Sequence, residues 1–254
     1  MTQLAFDRVS KRYQHRPALF NLLGTERKGE TKALSEISLS ILAGEFVVLI
    51  GPNGSGKTTL LKLGCGLLWP DSGTVTIGGK SSLLQGHARN QTSFLGMAER
   101  SFLGQLTAHE NLEFFGAFEN LSARYLKDEI PTLLRRVGLH DSADMRASRL
   151  SSGNLQRLAL ARGLMTRPDL LLLDEPSRSL DPEAVENFWR LLKELQREGA
   201  TIVMSTHNIE EAFALADRVI ALDAGRICFE QPVRALANSS DLRRLYAQHV
   251  RHSA

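Results

Sequence analysis

Cysteine is scarce in this chain: Cys65 and Cys228 are the 2 among 254 residues. They form no C-x-x-C pair and have no histidine at metal-ligand spacing. That argues against a disulfide framework or a zinc site as the support of the fold, and reads them as small hydrophobes in a reducing compartment. Long apolar runs are also lacking. FVVLI and LLLL fall far short of the roughly 20 residues that span a bilayer, and the N-terminal MTQLAFDRVSKRY lacks the apolar stretch of a signal peptide. Any membrane role is therefore borrowed from a partner. Nor is there a large surplus of one charge. The 31 bases and 28 acids are dispersed, for a net charge of +3, and although the pI is near 9.0 no nucleic-acid partner is expected. Repeats and low-complexity segments are absent.

What is present is the composition of a globular protein, 43% hydrophobic and 23% charged, in a chain long enough to bury a core of its own. Short apolar runs alternate with helical patterns, which predicts an α/β fold with a mostly parallel sheet. Phe46 to Ile50, Leu170 to Asp174 and Thr201 to Ser205 read as buried strands. A helix is predicted from Lys57 through Leu67. Another runs over Pro182 to Arg197, where Val185, Phe188, Trp189, Leu192 and Leu195 share a face. Leu4 to Val9, Leu34 to Ile41 and Thr74 to Ile77 suggest strands of a separate antiparallel layer. Residues 93–149 read as a small helical insertion, and 232–254 as a tail with a surface helix that turns Leu242, Leu245 and Tyr246 inward.

Gly51, Pro52, Asn53, Gly54, Ser55, Gly56, Lys57, Thr58 and Thr59 fit G-x-x-x-x-G-K-[ST] between a predicted strand and a predicted helix. Glycines there let backbone N–H groups approach phosphate oxygens, and the helix start adds positive potential. Lys57 is placed to pair with the β- and γ-phosphates of ATP and Thr58 to ligate Mg²⁺. Asp174 ends a four-leucine strand, where a carboxylate can hold the same metal. Glu175 follows it and can deprotonate an attacking water. The plainer alternative for the acidic pair is a helix start before Pro176. His207, in IVMSTHN, leaves the next strand on the same edge, within reach of a γ-phosphate. Leu155, Leu158, Ala161, Leu164 and Met165 predict a helix capped by Ser151 to Asn154. Ser151 offers a hydroxyl and Gly153 an unobstructed N–H, which suits either an anion site or an ordinary capped helix.

Taken together, GPNGSGKTT, LSSGNLQR, LLLLDEP, SLD and STH, in this order, resemble the ATP-binding cassette (ABC) superfamily over about Leu4 to Phe229. The likeness is to a single nucleotide-binding subunit of a transporter. It implies one nucleotide-binding domain over 1–254, with a RecA-like P-loop NTPase core, an antiparallel β-layer and an α-helical subdomain. It also implies a head-to-tail dimer, as homodimer or heterodimer with another such ATPase. In it one subunit's phosphate loop and the other's Ser151 and Gly153 sandwich ATP with Mg²⁺. Asp181 would link the two sites, and Tyr13 would stack on adenine. The implied function is ATP hydrolysis that drives a separate transmembrane permease subunit, with the chain cytoplasmic and peripheral on the membrane. LTAHENLEFFGAF and LDEPSRSLDP resemble exporter subunits more than importers.

The sequence departs from that pattern in three places. Ser152 and Asn154 stand where the family has glycine and glutamine, while Ser151 and Gly153 are kept. Ala98 falls where a glutamine would sense Mg²⁺ and the permease; Glu99 beside it as a substitute and a coupling that runs differently are both open. About fifteen residues are inserted within 15–32, carrying Leu19, Phe20, Leu22 and Leu23 among basic residues; a surface hairpin or loop and a contact with the membrane subunit or lipid headgroups are both open. Two rival functions stay on the table. One is a soluble ABC ATPase outside transport, which would usually show two cassettes or a basic face. The other is a hydrolytically impaired regulatory cassette, against which Lys57, Asp174, Glu175 and His207 argue.

Overall fold

The computed structural model describes residues 2–14, 30–81, 91–96, 102–178 and 180–250. Two sheets carry the fold. A four-stranded antiparallel sheet has the order β2-β1-β4-β5, from β1 (Thr2–Gln14), β2 (Glu30–Leu42), β4 (Ser72–Ile77) and β5 (Lys80–Ser81). A six-stranded sheet has the order β10-β9-β3-β8-β7-β6. Its members are β3 (Phe46–Ile50), β6 (Thr92–Leu95), β7 (Leu170–Asp174), β8 (Thr201–Ser205), β9 (Arg218–Asp223) and the antiparallel edge strand β10 (Arg226–Pro232). The other five run parallel.

The apolar runs are unbroken because both faces of the large sheet are covered. Side chains alternate between two cores. Phe46, Val48 and Ile50 of β3, with Leu171 and Leu173 of β7, enter the core shared with the helices. Val47, Leu49, Leu170 and Leu172 enter the core shared with the antiparallel sheet and α1 (Lys57–Gly64). Each fully buried leucine or valine of these runs contributes about 1.5–3 kcal/mol.

The helices of the first core are α2 (Ala108–Phe118), α3 (Ala123–Arg136), α4 (Ser152–Leu164), α5 (Pro182–Arg197), α6 (Ile209–Leu215) and α7 (Ser239–His249). Their starts are written in the sequence. Thr107 and Glu110 form a reciprocal capping box on α2, Ser151 caps α4, and Asp181 followed by Pro182 caps α5. Asn111, fully buried, ties the chain before α2 to the helix through bonds to Leu103, Leu106 and Thr107.

Three expectations change. The helical insertion does not begin at 93, because Thr92–Leu95 is a core strand in register with Leu170 to Leu173; Leu95 and Phe94 point to opposite cores, a period of two. The α1 helix stops at Gly64, short of Leu67, where Gly66 turns left-handed at φ 73° and Leu67 N–H bonds back to Lys62. In the tail, α7 spans Ser239–His249 with Leu242 buried and Tyr246 packed on the core, whereas Leu245 is only half-buried, and Val233–Ala235 is a short 3₁₀ turn. Of the predicted insert, 30–32 belong to β2, and Gln14 pairs with Glu30, so the chain leaves and rejoins the sheet at one place. The rest of it, 15–29, lies outside the described residues, as do Ala98, Glu99 and Ser179.

Candidate active site

The site gathers where parallel strands end. In the sheet β8 lies between β3 and β7, so the loops after these neighbouring strands face one another at their carboxyl edge.

The loop after β3 opens onto α1 through Gly56, whose φ of 106° is open to glycine and strained for other residues. A Cβ at Gly56 would also come within 2.6 Å of the Ala33 carbonyl, and one at Gly51 would collide with the Leu222 carbonyl. No side chain caps α1, and its first turn holds no acid. Its N–H donors and its positive end are therefore available to an anion. Lys57 is buried and folded into the loop, donating to the carbonyls of Gly51 at 2.8 Å and Pro52 at 3.0 Å. Burial lowers its pKa, against the pull of the Glu175 and Asp174 carboxylates, which raise it. The buried Ser55 hydroxyl has no hydrogen-bond partner among the described residues, a polar orphan beside a loop built for phosphate.

Across the sheet, the Thr58 hydroxyl donates to Asp174 Oδ2 at 2.7 Å, joining α1 to the end of β7. Two hard oxygens from different elements meet there, the donor chemistry that Mg²⁺ takes when phosphate and water complete its shell. Among the described residues no cluster of three or more His, Cys, Asp or Glu could hold a metal alone.

Ser205, the last residue of β8, orders the next part. It is fully buried and opposite Asp174 in register. Its hydroxyl donates to Asp174 Oδ1 at 2.6 Å and accepts the Glu175 N–H at 3.0 Å. The same N–H also reaches the Ser205 carbonyl at 3.1 Å. These bonds hold Glu175 at φ 47°, a left-handed conformation unusual for a residue with a Cβ. Glu175 Oε2 lies 3.6 Å from His207 Nδ1 and 3.6 Å from Arg178 Nη1. Gly51, Pro52, Asn53, Glu175, Arg178 and His207 share a cleft of about 630 Å³.

Tyr13 reaches the same region although an insert follows it. Its hydroxyl is 3.4 Å from Thr59 Oγ1 and the residue is 39% exposed. The structure thus brings together Tyr13, the 51–59 loop, Asp174, Glu175 and His207. Among the described residues no hydrogen bond or ion pair joins Ser151, Gly153 or Asp181 to that group. Ser151 Oγ accepts the Asn154 N–H at 3.2 Å, and Asp181 Oδ1 accepts the Ala184 N–H at 2.8 Å. Two residues escaped the sequence reading. Ser205 could have been noticed as a hydroxyl ending an apolar strand, and Arg178 as a cation three places after a glutamate.

An uncapped helix start after one parallel strand, facing an ordered carboxylate at the end of the next strand but one, defines a class of protein, the phosphate-loop nucleotide hydrolases. Similarity to known proteins narrows it. Residues 34–178, more than half of the chain, match the family described as ABC transporter. The chain is 34% identical over 215 residues to the ABC transporter ATP-binding protein NatA of Bacillus subtilis, covering 84% of this chain and 87% of that one. It is 37% identical over 216 residues to the Nod factor export ATP-binding protein I of Burkholderia lata, covering 84% and 70%. Among solved structures, the dimeric cassette MJ0796 in a post-hydrolysis state bound to ADP and Pi matches with a TM-score of 0.79 at 30% identity, covering 92% of this chain and 100% of that one. The cbiO1 protein of Clostridium perfringens, part of the transporter complex cbiONQ, matches with a TM-score of 0.78 at 25% identity, covering 97% and 95%. The chain belongs to the ABC transporter family and is a single ATP-binding, ATP-hydrolysing cassette of it. No described helix is long and apolar enough to cross a membrane.

Proposed function

We propose that this cassette hydrolyses Mg-ATP inside a head-to-tail dimer and so drives a separate membrane permease, in the direction of export. One observation carries the chemistry: the Thr58–Asp174 contact of 2.7 Å and the Glu175–His207 pair at 3.6 Å stand side by side, at the ends of adjacent strands. The uncapped start of α1 and the backbone of residues 51 to 59 receive the triphosphate. Lys57 exchanges its loop carbonyls for β- and γ-phosphate oxygens, and Tyr13 stacks on the adenine ring. Thr58 and Asp174 hold Mg²⁺, which when bound neutralises phosphate charge.

Glu175 takes a proton from a water whose oxygen bonds to the γ-phosphorus while the bond to the ADP oxygen breaks, giving ADP and phosphate. His207 steadies the carboxylate and faces the γ-phosphate. The dimer supplies what one chain does not bring to this site. Ser151 and Gly153, at the start of α4, face the partner's ATP, and Asp181 at the start of α5 links the two sites. The helical subdomain meets the permease along 98–118.

Export is supported by the kinship with Nod factor export ATP-binding proteins, and dimer formation by the dimeric MJ0796 cassette. The test is sedimentation of the full chain carrying Glu175→Gln. Dimers are expected with ATP and monomers without it, and Ser151→Ala should abolish the ATP-dependent species. Monomers at saturating ATP would refute the shared site.

A further inference from the structure

The turn after β7 carries a cation whose place in the site comes from local geometry. Arg178 N–H donates to the Glu175 carbonyl at 3.3 Å, closing a tight turn over Pro176 and Ser177. That turn folds the arginine side chain back over the glutamate. Its Nη1 lies 3.6 Å from Glu175 Oε2, the oxygen that His207 Nδ1 approaches at the same distance from the loop after β8. Both side chains are 64% exposed, whereas the glutamate side chain is 20% exposed. All three line the cleft that Gly51 and Pro52 close on the other side.

Ser205 fixes the glutamate's backbone, but a glutamate side chain has three further rotors that backbone bonds do not restrain. Two groups from different elements converge on Oε2. No hydrogen bond reaches Oε1 among the described residues, and the shortest approach of each cation is to Oε2. At 3.6 Å the Arg178 contact is an ionic attraction and not a direct hydrogen bond. Being exposed, it does little for stability while still biasing where the carboxylate points.

We infer that Arg178 is a positioning residue of the hydrolytic centre: with His207 it holds Oε2 of Glu175 and so presents Oε1 to the attacking water. This rests on Glu175 being the general base. Three variants of the full chain, assayed for steady-state Mg-ATP hydrolysis, test it. Arg178→Ala should lower kcat about fivefold, the upper range for loss of an exposed ion pair expressed as a rate. Its KM for ATP and its melting temperature should stay at wild-type values. Arg178→Lys, which restores a positive charge at that place, should recover most of the loss. Wild-type or raised kcat in Arg178→Ala overturns the inference, as does a loss that falls on KM or that lysine fails to restore. Glu175→Gln separates the two readings. If it keeps wild-type turnover, the general-base assignment falls, and the positioning role with it. If it is inactive while Arg178→Ala is unaffected, the positioning role alone falls.

Discussion

Replacing Ser205 with alanine should damage the site from behind, without touching nucleotide. The hydroxyl is fully buried and makes two bonds, donating to Asp174 Oδ1 at 2.6 Å and accepting the Glu175 N–H at 3.0 Å. The first is charge-assisted, and hydrogen bonds to charged groups contribute about 1.5–3 kcal/mol. The second is partly redundant, because the same N–H also reaches the Ser205 carbonyl, so it adds little. The net loss is about 2 kcal/mol, which for a chain of this size lowers Tm by about 4–8 °C. Activity should fall as well, since the variant leaves the Asp174 carboxylate with its Thr58 bond alone and the left-handed Glu175 backbone with the Ser205 carbonyl alone. Urea unfolding and steady-state hydrolysis, with Ser205→Thr as the hydroxyl-retaining control, measure both. If Ser205→Ala unfolds at the wild-type midpoint and turns over at the wild-type rate, the hydroxyl is not what orders the carboxylates, and the reasoning fails.

Tyr13→Ala should raise KM for ATP about tenfold and leave kcat near wild type, because stacking on a base is worth about 1–3 kcal/mol; an unchanged KM would remove Tyr13 from the adenine site. Asn111→Ala should cost about 3 kcal/mol in urea unfolding, since it strips partners from the backbone of Leu103, Leu106 and Thr107. A loss below about 0.5 kcal/mol would mean that water replaces the amide at little cost.

The parts of the fold that could be read from sequence are those set by local rules. Strands β3, β7 and β8 are unbroken apolar runs because both sheet faces are covered, and α5 shows its start in Asp181-Pro182 and its buried face in Phe188, Leu192 and Leu195. The phosphate loop is local too. The parts that were missed depend on distant pairing. Four residues of β6 are too few to display a period, and only the register with Leu170 to Leu173 makes them a core strand. Ser205 gained its importance by standing opposite Asp174 across a strand pair, 31 positions away in sequence. Arg178 is close in sequence to Glu175, but the turn that folds it back over the carboxylate depends on the glutamate's left-handed backbone, which Ser205 holds from the neighbouring strand. Tyr13 was placed by motif, and its approach to Thr59 follows from the full length of β1.

Steady-state phosphate release by the purified chain and by Glu175→Gln, each with Mg²⁺ and saturating ATP, tests the central claim most directly. Loss of a general base lowers the rate by about 10²–10⁴-fold, so the wild type should turn over steadily while the variant binds ATP and barely hydrolyses it. Equal rates in the two proteins would contradict the account.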